Sequence, residues 1–468
     1  MRRFIKYTIV LCALQLWNDS LAQMNMTFYN MNSVDQSNRL NPARMPENKL
    51  NIGLPAISNT FISLSNSGFA MNDVIKESGD SFEVDLNSFL GALKERNYLS
   101  LGLETDFLSI GKRVGEKNYI TFNATLKTSI NFRYDKAPLE ILINGNAPYA
   151  GENKNLSFGV NSSAYMEYGL GFARSFMNNK LNLGAKVKYL SGIANISTKK
   201  SDLTFYTDPS SYDLKVSSDL DLNMSGIDSI NSEDIEQLIL GPNRGMALDI
   251  GATYSYSDKL DFSVSLLDVG FIKWNSGVTN FKSKDPGATY TFTGVDLDNF
   301  YNDSADFDQA FEELVDSLED RFGVIETNEA YRNALPTQLY LGANYNFSKT
   351  TNVGIVFYSQ FYKGNVLPGA GVSFNKKFGR TLGLYGSYSY FNKNATNLGL
   401  GFSANLGPVQ LYAVTDNIIS VFNYNNAKST NVRFALNLRF GLADRPSKEE
   451  RKAQRKFKHE KNDGNGSF

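Results

Sequence analysis

Histidine and cysteine are almost missing from this sequence, since one of each occurs in 468 residues. Cys12 lies close to the N-terminus and His459 close to the C-terminus. Catalytic bases and metal ligands that work near neutral pH are most often imidazoles, and one imidazole in a terminal segment cannot build such a site. One cysteine cannot form a disulfide within the chain or a cysteine metal site. We therefore expect no enzyme activity, no catalytic residue, no metal and no cofactor.

Long hydrophobic runs and an excess of charge are also lacking. After the first 25 positions no stretch of about 18 apolar residues occurs, which excludes transmembrane helices. The net charge of −1 argues against a nucleic-acid partner, which would require a basic face. Aromatic residues, in contrast, make up 13% of the chain. A membrane protein of this composition must be a closed β-barrel, because only closure satisfies every backbone hydrogen-bonding group in hydrocarbon.

The first 22 residues have the pattern of a secretory signal peptide. Arg2, Arg3 and Lys6 precede an apolar stretch over residues 7–17, and Ser20-Leu21-Ala22 supplies small residues before a cut ahead of Gln23. The alternative is a buried N-terminal helix. Val10-Leu11 before Cys12 lacks the small residues of a lipoprotein signal, so we expect no lipid anchor.

Apolar and polar residues alternate with a period of two over long stretches, which predicts β-strands with two different faces. In residues 119–134 one face carries Ile120, Phe122, Ala124, Leu126, Ile130, Phe132 and Tyr134, and the other carries Thr121, Asn123, Thr125, Lys127, Ser129, Asn131 and Arg133. A soluble β-sandwich also alternates, but its strands usually run about 5 to 6 residues. Strands of 11 to 20 residues, with Gly, Asn, Ser and Thr on one face, favour a membrane barrel.

The predicted fold is therefore all-β: a transmembrane antiparallel β-barrel of about fourteen strands. Short polar turns and long segments alternate between the strands, as periplasmic turns and extracellular loops do. The strands are predicted at residues 50–67, 97–113, 118–134, 156–176, 180–197, 244–257, 259–274, 336–347, 351–362, 365–378, 381–392, 395–407, 408–418 and 430–441. An even count returns both termini to the periplasm, and the barrel domain spans residues 49–441.

Two of the long loops carry helical signals. Residues 303–322 place Phe307, Phe311 and Leu314 on one face at helical spacing, and residues 86–93 form a shorter candidate. Such helices either pack on other loops or form an apolar landing site at the barrel mouth. Residues 442–468 are rich in Lys and Arg and contain no core-forming pattern, so we expect a flexible basic periplasmic tail. The tail is either solvated or in contact with a periplasmic protein or cell-wall polymer.

Charged residues on the inward face are the candidates for function in the lumen. They either cross-link the lumen by ion pairs or set the selectivity of a pore. The set comprises Lys127, Arg133, Glu167, Lys186, Lys188, Asp249, Arg433 and Arg439.

Several short segments resemble known outer-membrane families. Ser37-Asn38-Arg39-Leu40-Asn41-Pro42-Ala43 resembles the N-terminal signature of FadL-type outer-membrane transporters. The segments at residues 244–251, 267–274 and 411–417 resemble a largely uncharacterised family of Bacteroidetes outer-membrane proteins, which is similar in architecture to FadL and to the PorP-like proteins of type IX secretion and gliding. The resemblance covers nearly the whole mature chain.

The FadL resemblance implies fourteen strands and an N-terminal plug, here residues 23–48, with Asn41, Pro42 and Ala43 near its exit. It also implies a hydrophobic small-molecule ligand, although the inward face is mostly polar. The first hypothesis is an outer-membrane protein of a Gram-negative bacterium that transports a small hydrophobic or amphipathic solute, with outer-membrane lipid around it. The second is a non-conducting scaffold for type IX secretion, gliding or surface machinery. An apolar pocket around the plug would favour transport, and a lumen packed with ion pairs would favour the scaffold.

Overall fold

The computed structural model describes residues 25–78, 81–227, 239–292, 323–391 and 394–442. Fourteen antiparallel strands form the wall of a barrel. Strands β1 and β8 each consist of two segments, whereas the other twelve are continuous. The strands are β1 (Asn48–Gly53 and Ser58–Asn66), β2 (Arg96–Val114), β3 (Asn118–Asp135), β4 (Phe158–Phe176), β5 (Leu181–Thr207), β6 (Asn243–Ser255), β7 (Leu260–Trp274), β8 (Tyr331–Ala334 and Thr337–Ser348), β9 (Thr351–Tyr362), β10 (Asn365–Phe378), β11 (Leu382–Phe391), β12 (Asn394–Leu406), β13 (Val409–Thr415) and β14 (Ser429–Leu442).

The barrel is closed by pairing between its first and last strands. In β1, Leu50 pairs with Phe440 and Ile62 pairs with Val432 of β14, while the other edge of β1 pairs with β2. Each remaining strand pairs with the next one along the chain, so no edge of the wall is left open. The predicted strand count of fourteen is confirmed, and so is the all-β class.

The wall has the polarity of a barrel made for an apolar surrounding. Leu170, Val187 and Met246 point outward and are 61%, 63% and 63% exposed, whereas the inward-facing Asn123 and Lys186 are each 2% exposed. Alternation along each strand produces this arrangement, because successive side chains point to opposite faces. Apolar side chains therefore cover the outside, and polar side chains are enclosed.

One rim of the barrel carries only short turns, such as residues 115–117 and 407–408, and the other rim carries the long loops. We call them the short-turn rim and the long-loop rim. The alternation of connection lengths predicted from the sequence is present.

Further strands extend the sheet of the wall beyond the long-loop rim, within residues 198–243, which lie between two predicted strands. The sequence predicted that strand β5 ends at residue 197. The strand instead continues to Thr207 and pairs with Leu214–Ser225. The prediction failed because both faces of this hairpin carry polar residues, such as Lys199 and Lys200, so the apolar alternation fades although the strand continues. The hairpin is extended by strands Asn153–Asn155, Val278–Ser283, Ala288–Phe292 and Val324–Thr327.

Short helices occupy the loops and the N-terminal segment. The predicted helix at residues 86–93 is present as Leu86–Ala92, with the Asp85 side chain accepting a hydrogen bond from the backbone N–H of Ser88 at its start (2.8 Å). The predicted helix at residues 303–322 and the basic tail lie outside the described residues. No helix in the described ranges has the length and apolar character needed to cross a membrane. The other helices are Met26–Tyr29, Met71–Val74, Ala137–Asn144 and Ile418–Phe422, with 3-10 turns at Asp35–Arg39, Ala147–Tyr149 and Tyr424–Asn426, and a separate hairpin joins strands Ile75–Ser78 and Ser81–Val84.

Candidate functional site

The lumen of the barrel is filled on the short-turn side by the N-terminal segment, residues 25–47, which we call the plug. Its two short helical turns, Met26–Tyr29 and Asp35–Arg39, lie inside the wall and are almost entirely buried. Plug residues contact inward-facing side chains of many strands, so the segment is held on all sides. The candidate site is this plugged lumen and the space next to it.

The eight charged candidates of the sequence fall into three groups. Arg433 and Arg439 of β14 contact the plug. Arg133 lies apart, near the long-loop rim, where its Nη2 donates a hydrogen bond to the carbonyl of Phe158 (3.3 Å). The other five lie together on neighbouring strands of one wall: Lys127, Glu167, Lys186, Lys188 and Asp249.

Lys188 is the centre of a buried ion-pair cluster. Its Nζ lies 2.7 Å from a carboxylate oxygen of Asp249, 2.6 Å from one of Asp268 and 3.5 Å from one of Glu167. Lys127 completes the cluster with Nζ 2.8 Å from Glu167. The cations and anions compensate one another, and removing one partner would leave a buried charge without a counter-charge.

Arg39 connects the plug to this wall. Its Nη2 lies 2.6 Å from a carboxylate oxygen of Asp106, and its Nη1 lies 3.8 Å from Glu167 of the ion-pair cluster. The hydroxyl of Thr125 donates a second hydrogen bond to Asp106 (2.7 Å). The Asp106 side chain is fully buried, so Arg39 is the cation that makes its charge tolerable inside the lumen.

Two arginines of β14 also contact the plug. Arg433 donates from Nε to the Oδ1 of Asn25 (3.2 Å) and forms an ion pair with Glu104 (2.8 Å). Arg439 forms an ion pair with Asp35 of the plug (3.1 Å). The final strand of the barrel therefore contacts both ends of the plug's helical region.

Asp35 is an acid with almost no access to solvent. Its carboxylate accepts hydrogen bonds from the side-chain amides of Asn48 (2.9 Å) and Asn51. Burial raises the pKa of this carboxyl from an ordinary 3.8 to about 6, while the charge of Arg439 and the two amides act in the opposite direction. The plug thus contains a group that titrates between pH 4 and pH 7.

The Asn41-Pro42-Ala43 segment ends the buried part of the plug. The side-chain amide of Asn41 donates to the carbonyls of Ala252 (3.3 Å) and Val264 (3.2 Å), which belong to β6 and β7. Its Oδ1 accepts from the backbone N–H of Ala43 (3.0 Å), which fixes a tight turn. A single side chain therefore determines both the local turn and its attachment to the wall.

Apolar contacts fill the rest of the plug interface. The ring of Tyr29 stacks on Tyr340, with centroids 4.7 Å apart and planes 6° apart, and Phe28 stacks on Tyr412 at 5.5 Å. These rings lie in one buried cluster with Met26 and other residues of both plug and wall. The lumen therefore contains both an apolar cluster around the plug and a wall of ion pairs. The apolar cluster was expected for a transporter and the ion pairs for a scaffold, so this criterion alone does not separate the two hypotheses.

A cavity of about 630 Å³ lies on the long-loop side of the ion-pair cluster. Glu104, Lys127 and Asp268 form part of its lining, which makes the cluster its floor, and residues 63–67 and 417–431 line its mouth. Most of the inward side chains around it carry hydroxyl or amide groups. The cavity has the size of a small-molecule site, with apolar surface and hydrogen-bonding groups in the same lining.

Four acids that contact the plug or the ion pairs of the wall were missed from the sequence: Glu104, Asp106, Asp268 and Asp416, which accepts a hydrogen bond from the backbone N–H of Thr27 (2.8 Å). Glu104 and Asp106 occupy alternate positions of β2 whose side chains point into the lumen. This alternation was the signal that could have identified them. Asp268 gave no such signal, because its backbone has φ +57° at a shift of register between β6 and β7. The irregularity turns its carboxylate into the lumen, and a regular alternation cannot predict that. Among the described residues, no group of three His, Cys, Asp or Glu side chains is arranged to hold a metal ion.

Comparison with known proteins places the chain in a family. Residues 42–416 match the sequence model described as a family of unknown function, DUF5723. The chain belongs to this family. No curated protein matches this chain.

Solved barrels give more distant similarities. The TodX deltaS2S3 mutant monoaromatic hydrocarbon channel shares 10% identity with a TM-score of 0.41, covering 87% of this chain and 95% of that one. A Pseudomonas aeruginosa FadL homologue shares 9% identity with a TM-score of 0.40, covering 86% and 92%. The Pseudomonas putida toluene transporter TodX shares 10% identity with a TM-score of 0.36, covering 86% and 91%.

Proposed function

We propose that this protein is an outer-membrane transporter of a small amphipathic solute in a Gram-negative bacterium, exported through a cleaved signal peptide at residues 1–22. The band of exposed apolar side chains on the outside of a closed wall supports the membrane location, because water would disfavour it and lipid would not. The enclosed polar lumen supports the passage of a solute rather than a solely structural role for the interior.

The observation that carries the proposal is the plug itself. A segment of the chain that fills one side of the lumen, beside a cavity of about 630 Å³ on the other side, has the arrangement of a closed gate next to a binding chamber. The plug belongs to no barrel strand and is held by side chains, through Arg39, Asp35 and Asn41. Its displacement would open the lumen without breaking the wall.

Flux through liposomes tests this proposal. Purified protein without residues 23–47 is reconstituted, and swelling is followed in phenylalanine, phenyl glucoside and sucrose. We expect faster swelling than with the full chain. A variant without residues 444–468, a terminal deletion of equal length, serves as the control and should swell as slowly as the full chain. Absence of flux through the plug-deleted protein, with the barrel shown to be folded, would contradict the transport proposal.

A second candidate function is a non-conducting scaffold for secretion or surface machinery. One observation favours it: the buried ion pairs between plug and wall, such as Arg39 with Asp106, tie the plug firmly in place. The basic tail at residues 442–468 would contact a periplasmic protein or cell-wall polymer in this reading. Pull-down with the full chain and with the chain lacking residues 444–468 tests it, and identical partners in both samples would remove the role of the tail.

A further inference from the structure

The cavity on the long-loop side of the ion-pair cluster has a wall that is suited to one class of solute. Ser63 and Ser65 of β1 and Gln360 of β9 line it from different sides and are half-buried. None of these three side chains forms a hydrogen bond with any other described residue. Their hydroxyl and amide groups therefore face the cavity with hydrogen-bonding capacity to spare.

Other polar groups in the wall are held in fixed positions. The Ser100 hydroxyl donates to the Oδ1 of Asn131 (2.6 Å), and the hydroxyls of Ser129 and Ser163 lie 3.2 Å apart. Such pairs orient their remaining donors and acceptors toward the cavity. The result is a wall of hydroxyl and amide groups on rigid strands, and the lining also includes Lys94 and Lys428.

The charges at the floor of the cavity are already compensated. Lys127 pairs with Glu167 and Asp268, and Glu104 pairs with Arg433. A charged solute would find no unpaired counter-charge there, and one that competed for these partners would break buried ion pairs. The floor therefore favours a neutral solute.

Apolar surface makes up more than half of the cavity lining, interspersed with the hydroxyl and amide groups. Tyr165 and Phe391 contribute rings to this apolar part of the lining. An aliphatic or aromatic hydrocarbon would cover the hydroxyl and amide groups without hydrogen-bonding to them, and each group left unsatisfied would weaken its binding. A molecule with hydroxyl groups around its edge and apolar patches on its faces avoids that loss.

We infer that the cavity binds a neutral, hydroxyl-rich solute, namely a short oligosaccharide. Its ring hydroxyls would bond to Ser63, Ser65, Gln338 and Gln360, and the C–H faces of its rings would lie on the aromatic side chains. This inference rests on the proposed transport function. It narrows the transported solute to one chemical class.

Binding to the purified full chain tests the inference independently of flux. The protein is kept in an amine-oxide detergent, because sugar-based detergents would compete, and titrated calorimetrically with maltose, sucrose, toluene and hexadecanoate. We expect saturable binding of at least one disaccharide and none of the two apolar probes. Binding of toluene or hexadecanoate alone, or of no probe, would overturn the inference.

Variants locate the binding to the cavity. Gln338→Leu and Gln360→Leu remove amide groups from the wall, and each should weaken disaccharide binding roughly five- to tenfold, the effect of one lost hydrogen bond. Ser359→Leu is the matched control, since Ser359 precedes Gln360 in the same strand and points to the opposite face. Heat-dependent migration in gels shows that each barrel is folded. Equal disaccharide binding by the glutamine variants and the control would show that the disaccharide does not bind in this cavity.

The two proposals fail separately. Disaccharide binding without flux through the plug-deleted protein would contradict transport and leave the binding site standing. Flux of phenylalanine or phenyl glucoside without disaccharide binding would leave transport standing and contradict the solute class inferred from the cavity.

Discussion

The guanidinium group of Arg39, in the plug, lies 2.6 Å from the carboxylate of Asp106, on the second barrel strand, and the Asp106 side chain is fully buried. This ion pair is a direct link between the gate and the wall in our proposal. Arg39 compensates the Asp106 charge while the docked plug excludes water from it.

Replacing Arg39 should therefore release the plug. In Arg39→Ala the Asp106 charge loses its partner, and breaking one side of a buried pair typically costs about 3–5 kcal/mol. We expect residues 25–44 to become sensitive to protease while the barrel stays folded. Arg380→Ala, at an exposed short turn, is the control and should protect the plug as the unchanged protein does. Equal protection in both variants would show that the pair does not hold the plug.

Docking of the plug should depend on pH through Asp35. Its folded pKa, about 6, lies above the ordinary value of 3.8, so the docked state binds the proton more tightly than the undocked state. Protonated Asp35 therefore stabilises the docked plug. This stabilisation is complete below pH 4 and is lost as the pH rises through 6. The protection factors of the plug amides, which correct for the intrinsic rise of exchange with pH, should accordingly be higher at pH 5 than at pH 7.5. Asp35→Asn keeps an acceptor for Asn48 and should flatten this dependence; an unchanged profile would assign the effect to another group.

The close approach of Gly184 to the plug provides a steric test. A Cβ atom on Gly184 would overlap the carbonyl of Pro42 and the backbone nitrogen of Ala43. Gly184→Ala should destabilise docking by about 1–3 kcal/mol, as overpacking does, and expose the plug to protease. Gly386→Ala is a matched control in another strand, where the nearest atom to a new Cβ is the Phe374 carbonyl at 4.0 Å. If both variants protect the plug equally, the segment does not pack against the wall at Gly184.

The proposed lipid contact predicts a dependence on depth. Leu400 lies mid-way along the outer face of β12, opposite Gly386, and is 50% exposed, whereas Leu406 lies at the end of the same strand by the short-turn rim and is 56% exposed. Leu400→Arg should cost about 2–4 kcal/mol of folding free energy in a bilayer and Leu406→Arg about 0–1 kcal/mol. Denaturant unfolding from lipid vesicles measures both. Equal losses would contradict a membrane centred on this band.

The wall of the barrel could be predicted from the sequence because its rule is local. A strand that faces lipid on one side and an enclosed lumen on the other must alternate, so the ranges of the strands follow from residues close together in the chain. The rule weakened where β5 continues beyond the barrel to Thr207, since polar residues occur on both faces there. It also missed the helix Ala137–Asn144, which lies in one of the loops where no alternation is imposed.

The interior could be predicted only in part. Parity placed Lys127 and Lys188 on the inward face, but not which acids would meet them, because partners such as Asp268 are distant in sequence and lie on another strand. The backbone irregularity at Asp268 added to the difficulty. The FadL resemblance implied that residues 23–48 form a plug, but it did not predict that Arg39 would form an ion pair with Asp106 or that Asp35 would be buried.

The contact between Asn25 and Arg433 spans 408 positions of the chain, and Gln36 likewise bonds to Asn437, 401 positions away. Contacts of such long range form late, because the chain between them must first be organised. The N-terminal segment can thus find its full set of partners only after the final strand has joined the first. During biogenesis the barrel would therefore be open before the plug docks. A cell that makes this protein needs docking to follow quickly after insertion.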